Sequence, residues 1–169
     1  MPLRLIAGGL LMVALDLRVD GVDLVPDVIG LVLVAVGLRR LGAGDPVVVL
    51  AVRVSAVAAV LSLADLVRVP VVSVVYDVSV AIVPVLIANY LAIRAARAVD
   101  VPAERIWLRL RDVVLILGAA TLGLGVLARS GPLAQLLFVA LLASVVAIVV
   151  FMVTLLQHAR RPWAVPSGA

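Results

Sequence analysis

Six runs of apolar residues divide the chain, at about 3–17, 24–41, 47–66, 71–93, 113–128 and 133–157. A helix rises about 1.5 Å per residue, so roughly 20 apolar residues cross a hydrocarbon core about 30 Å thick. The runs are rich in valine but lack the apolar/polar alternation of a membrane β-barrel, so helices are predicted. Turn formers separate them: Gly42-Ala-Gly-Asp-Pro46 before the third, Pro70 before the fourth, Ser130-Gly131-Pro132 before the sixth. Each proline stands where the first turn of a helix tolerates one. The pattern predicts a single transmembrane domain over residues 1–169, an all-α polytopic bundle of about six transmembrane helices with a short N-terminal hairpin.

Composition narrows the chemistry. Hydrophobic residues make up 66% of the chain and charged ones 14%, too little polar surface to cover a water-soluble core. With no cysteine there is no disulfide, thiolate nucleophile or cysteine metal site, and His158 alone cannot build a multi-histidine centre. No phosphate-binding loop, nucleophile elbow or His-Glu-x-x-His motif occurs, and Gly123-x-Gly125-x-x-Ala128 follows no strand. Neither an enzyme nor a cofactor is therefore expected. The 14 basic residues are all arginine and are spread between the apolar runs instead of gathering on one face with aromatics, which argues against a nucleic-acid partner.

The arginines set an orientation instead. With the N-terminus inside, cytoplasmic segments hold Arg4, Arg39, Arg40, Arg94, Arg97, Arg105, Arg109, Arg111, Arg160 and Arg161, whereas Arg18, Arg68 and Arg129 lie outside. Ten against three fits six spans with both ends of the chain cytoplasmic. Trp107 and Trp163 then fall at the inner interface as anchors. The first run is followed by no small-x-small cleavage site and reads as an uncleaved anchor.

Asp100-Val-Pro102-Ala-Glu104 reads as a helix start, with acids where the dipole favours them. Ile106, Leu110 and Val113 recur at helical spacing, so residues 102–112 are expected to form an amphipathic helix on the inner leaflet, with partner docking as the other use of that face. In the fifth run Ala119 with Gly123 and Thr121 with Gly125 make small-x-x-x-small pairs suited to close helix approach. Asn89 and Tyr90 suit interhelical hydrogen bonding and an interface aromatic, and His158 a helix C-terminus.

The N-terminal hairpin carries Asp16, Asp20, Asp23 and Asp27 between two short arms. Arms this short cannot lift their loop clear of an average bilayer, so these acids are expected in a recess below the outer surface. Asp27, just after Pro26, suits a helix cap. The run Asp23-Leu-Val-Pro-Asp27-Val-Ile-Gly30-Leu31, ending in Gly37-Leu-Arg39-Arg40-Leu41, resembles a leucine-proline-aspartate-x-isoleucine-glycine pattern of small uncharacterised bacterial integral membrane proteins, with Val25 in place of the leucine. The resemblance implies a multi-pass protein of the bacterial plasma (inner) membrane and supplies no activity.

Charges within spans need a partner or an escape. Arg53 can snorkel to the inner headgroups. Asp77 is too short to do so; Arg68 and Arg53 are its candidate partners, with Asp65 a like-charged neighbour. Asp77 shares a helix face with Ser73 and Pro84, and the proline frees the Val80 carbonyl, so the group reads either as a buried salt bridge on a kinked helix or as a proton or cation site. The expected function is membrane-embedded binding, or an assembly or accessory role, with the lipid bilayer and a second copy or another membrane protein as partners. The alternative is a small cation, proton or solute permeation protein using Asp77 and the outer acidic cluster.

Overall fold

The computed structural model describes residues 2–15, 18–19, 22–23, 27–65, 70–127 and 132–164. Six α-helices run in order: α1 (Pro2–Leu15), α2 (Asp27–Gly42), α3 (Pro46–Asp65), α4 (Pro70–Arg97), α5 (Val101–Leu127) and α6 (Pro132–His158). Between α1 and α2 two-residue strands β1 (Arg18–Val19) and β2 (Val22–Asp23) pair antiparallel, Arg18 opposite Asp23. A 3-10 turn, Pro162–Ala164, follows α6.

The helix boundaries follow local chemistry. Pro2, Pro46, Pro70 and Pro132 each open a helix, where a missing N–H costs nothing. Asp45 caps α3 by accepting the Val47 N–H at 2.9 Å, and Asp100 accepts the Ala103 N–H at 3.3 Å at the start of α5. α4 ends in a Schellman arrangement: the Asp100 N–H donates to the Ala95 carbonyl and the Val99 N–H to that of Ala96, both at 3.0 Å. The left-handed residue this requires is Val99, with φ of 59°. α4 runs through Pro84 without interruption.

Each helix packs on its neighbours in sequence, and α6 returns to α1, closing a ring. The turns that join α2 to α3 and α4 to α5 thereby lie at one end of the bundle, with the start of α1 and the end of α6. Arg4, Arg39, Arg40, Arg94, Arg97, Arg105, Arg109, Arg160 and Arg161 belong to this end. The main core draws on all six helices and lies toward it, from Leu3, Ile6, Val34, Leu38, Ala51, Ile87, Leu91, Trp107, Phe151 and Leu155. A smaller cluster of Leu31, Ala58, Ala59 and Tyr76 lies beyond it.

Among the described residues, three helices contain a segment long and apolar enough to cross a membrane: Pro46–Leu63, Val71–Arg97 and Pro132–His158. This is fewer than the six spans expected, and length and charge explain why. α1 has 14 residues and α2 has 16, about 21 and 24 Å of helix, short of a 30 Å core. α5 carries Arg105, Arg109, Arg111 and Asp112 in its first half.

The amphipathic helix expected at 102–112 is not a separate element. It is the first part of α5, continuous with the apolar run, and its inward face is Ala103, Trp107 and Val114, while Ile106 and Val113 are exposed. Trp107 is fully buried rather than an interface anchor, because edge-on contacts with Phe151 and His158 draw it inward. Tyr90 likewise belongs to the core rather than the interface.

Small residues make the closest approach elsewhere than the sequence suggests. A Cβ on Gly30 would lie 2.6 Å from the Gly9 carbonyl oxygen, so α1 and α2 cross backbone to backbone at this pair. Gly37 fits against Ile6 in the same crossing. In α5, by contrast, a Cβ on Gly123 or Gly125 would meet nothing within 4 Å, and Gly118 meets only Ala81 at 3.4 Å. Thr121 and Ser144, 3.2 Å apart, tie α5 to α6 by a hydroxyl hydrogen bond instead.

Candidate functional site

Two polar constellations lie at opposite ends of α2. At its start, Asp27 is buried, 6% exposed, and the Tyr76 hydroxyl donates a short hydrogen bond to its Oδ2. Tyr76 stands six residues beyond Pro70 in α4, about 9 Å along the helix. Asp27 thus packs about 9 Å in from the N-terminal end of α4.

Among the expected site residues whose side chains are described, Arg53 and Asp77 are not buried with it. Asp77 is exposed, because at about 100° per residue the face that turns Tyr76 inward turns its successor outward. Ser73 is half-buried and Pro84 buried, so the expected stripe does not close on one buried site. Arg53 is exposed on the outside of α3, and no ion pair joins it to Asp77. Asp23 lies in β2 and Asp65 ends α3; Asp16 and Arg68 fall outside the described residues, and with them the expected Arg68 pairing. Among the described residues no three acidic or histidine side chains come together to hold a metal ion.

At the other end of α2, Arg39, Arg40, Arg94 and Arg97 line a recess of about 650 Å³ with the 42–45 turn, Tyr90 and Trp163. The geometry begins with a helix end. The Leu41 carbonyl belongs to the last turn of α2, which leaves such oxygens without an intrahelical partner. It accepts from Arg94 Nη1 at 3.3 Å and from the Tyr90 hydroxyl at 3.4 Å. The Arg94 guanidinium lies 5.9 Å from the centre of the Tyr90 ring, a cation–π distance. Gly42 has no side chain to spare here, since a Cβ would collide with the Tyr90 hydroxyl.

Trp163 forms the far wall. Its indole N–H donates to Asp100 Oδ2 at 2.9 Å, and Arg161 approaches the same oxygen at 3.8 Å. The Trp163 hydrogen bond holds the Asp100 carboxyl below its ordinary pKa; partial burial opposes this, while the Ala103 N–H, Arg161 and His158 assist. Behind it, His158 is buried between Trp107 and Trp163, with Nδ1 2.9 Å from the Thr154 carbonyl oxygen. Asn89 bridges helices as expected, accepting from Arg111 Nη1 at 3.2 Å.

Sequence reasoning reached Asp27 but missed Tyr76, and it read the arginines as a topology signal without seeing that four of them line one recess. Tyr76 lies 49 residues from Asp27 and Arg94 lies 53 from Leu41; no local spacing reports either. No family model, curated protein or solved structure matches the chain, so its own residues carry the functional reading.

Proposed function

We propose that the chain is a multi-pass plasma-membrane protein, its arginine-rich end cytoplasmic, that works by membrane-embedded binding or as an accessory component and not by covalent chemistry. The observation that carries this reading is the distribution of apolar side chains. Val60, Ile116 and Leu127 are each 66% exposed and Phe138 65%, on the outside of α3, α5 and α6. Water disfavours such a shell, and lipid covers it without cost. On this reading all six helices lie in the bilayer, α1 and α2 as a short hairpin braced by the long helices, where local thinning accommodates the missing length.

The interior supports binding over permeation. Val34, Leu38, Val83, Ile87 and Leu91 belong to one buried apolar core, and Leu31 to the smaller cluster beside Tyr76. The Ser55 hydroxyl, buried in α3, donates to its own Ala51 carbonyl. A polar path from Asp27 to the other end would have to displace this packing.

Membrane fractionation followed by reconstitution tests the reading. The protein should stay in the bilayer through alkaline carbonate extraction, and proteoliposomes should show no proton or monovalent cation flux above empty liposomes. Release by carbonate would overturn the membrane reading, and flux abolished by Asp27→Asn would replace binding with permeation.

A further inference from the structure

We propose that the recess at the arginine end binds a phosphate group, carried either by an anionic lipid headgroup or by a small soluble phosphate. The inference rests on the membrane reading above and names the ligand class for that end of the protein.

Four arginines from two helix ends, α2 and α4, line one recess. Asp45 is the acid among the lining residues, and its Oδ1 already caps α3 through the Val47 N–H. Arg94 is anchored by the Leu41 carbonyl and Tyr90. Arg39, Arg40 and Arg97 have no carboxylate partner among the described residues. The C-terminal ends of α2 and α4 each bring roughly half a negative charge, which leaves the recess about two charges positive.

Such a cluster repels itself unless an anion joins it, and guanidinium groups match phosphate oxygens two hydrogen bonds at a time. A volume of about 650 Å³ admits a headgroup or a nucleotide-sized phosphate and exceeds what a chloride ion needs. Its walls give it shape as well as charge: Trp163 is fixed by Asp100, and Tyr90 is wedged against Gly42. With the arginine end at the inner leaflet, the recess stands at the depth of lipid phosphates, where the cytoplasmic surface is already anionic. Arg105 and Arg109 are exposed at the same end but outside the recess, so they separate a built site from diffuse attraction.

The test is a thermal-shift titration of the full chain in neutral detergent micelles, with short-chain phosphatidylglycerol in one arm and inorganic phosphate in the other. Wild type should be stabilised saturably in at least one arm. Arg39→Gln/Arg97→Gln should weaken that midpoint about tenfold or more, as loss of charge-assisted hydrogen bonds does, while Arg105→Gln/Arg109→Gln leaves it unchanged. Stabilisation by the lipid alone assigns a headgroup; stabilisation by inorganic phosphate assigns the soluble source. Equal weakening by both double variants would reduce the effect to diffuse charge and overturn the proposal, as would no stabilisation in either arm. Circular dichroism checks that each variant keeps its helices; should Arg39→Gln/Arg97→Gln lose them, Arg40→Gln alone is titrated and must weaken the midpoint. Insertion into phosphatidylcholine nanodiscs is scored separately. A protein that inserts but ignores phosphate overturns the recess alone, whereas one that does not insert overturns the membrane reading.

Discussion

Asp27 and Tyr76 show what a single buried carboxylate needs. Removing a carboxylate from water into an apolar interior is costly unless hydrogen bonds replace its hydration, and Tyr76 reaches across from α4 to supply one. Tyr76→Phe keeps the ring in the small cluster with Leu31 and Ala59 but takes the donor away. It should cost about 1–3 kcal/mol in detergent unfolding. Asp27→Asn, which still accepts from the hydroxyl, should cost less; the reverse order would show that the pair does not stabilise the fold. Val99 is the opposite case, a residue in the wrong place for its side chain. It is 81% exposed and β-branched at φ of 59°, where a Cβ crowds the following carbonyl oxygen. Val99→Gly should raise stability by about 1 kcal/mol, read as an increase in Tm, and a decrease would mean that the valine has a partner worth more than the strain.

The local signals were the legible ones. Proline-opened helices, the Asp100 helix start and the short hairpin all depend on neighbours in sequence, and the helices begin and end within a few residues of those marks. Faces were harder to read. On a helix that is apolar all round, spacing does not say which side meets protein and which meets lipid. The Ile106–Leu110–Val113 stripe read as the apolar face of a separate interfacial helix, and it did not report that this segment continues into α5 and packs on the bundle through Ala103, Trp107 and Val114. The α5 glycines misled in the same way, because a small-x-x-x-small pair permits close approach without causing it. The pair that uses it, Gly9 with Gly30, is shared between two helices and has no periodic signature within either. Gly30→Val should therefore force α1 and α2 apart and cost about 1–3 kcal/mol or more. Gly123→Val, with nothing within 4 Å of its Cβ, should be tolerated within about 0.5 kcal/mol. Equal losses at the two positions would place a neighbour on α5 that this bundle does not contain.

The joint between α4, α5 and the chain after α6 carries a pH signature. Folding lowers the Asp100 pKa, mainly through Trp163, so the stabilisation is complete at neutral pH and is lost as pH falls through the folded pKa, below the ordinary 3.8. The fluorescence of Trp163, taken as the difference between wild type and Trp163→Phe, should hold steady from pH 7 to 5 and change only below the usual aspartate range. In Asp100→Asn this acid transition should disappear. Persistence of the acid transition in Asp100→Asn would contradict the assignment to Asp100.

At the scale of the whole molecule, unequal helix lengths produce the asymmetry. Helices of 27 and 28 residues stand beside helices of 14 and 16, so among the described residues all six helices pack together toward the arginine end. Beyond the short hairpin, the outer halves of α5 and α6 expose Leu115, Ile116, Leu136 and Phe138. On the membrane reading proposed above, the apolar outer halves enter lipid and the arginines remain at the cytoplasmic headgroups. Everything proposed for function, including the phosphate-binding recess, depends on that placement. Single cysteines read by an impermeant thiol reagent in intact cells test it most directly, because the natural chain has none. Gly44 and Ala98 are exposed at the arginine end, whereas Ala103 is buried and would be silent whichever way the protein faced. Cysteine at Gly44 or Ala98 should be protected until the cells are permeabilised, and cysteine at Gly131, between α5 and α6, should label at once. Labelling of Gly44 and Ala98 from outside with Gly131 protected would turn the arginine end outward and contradict the account.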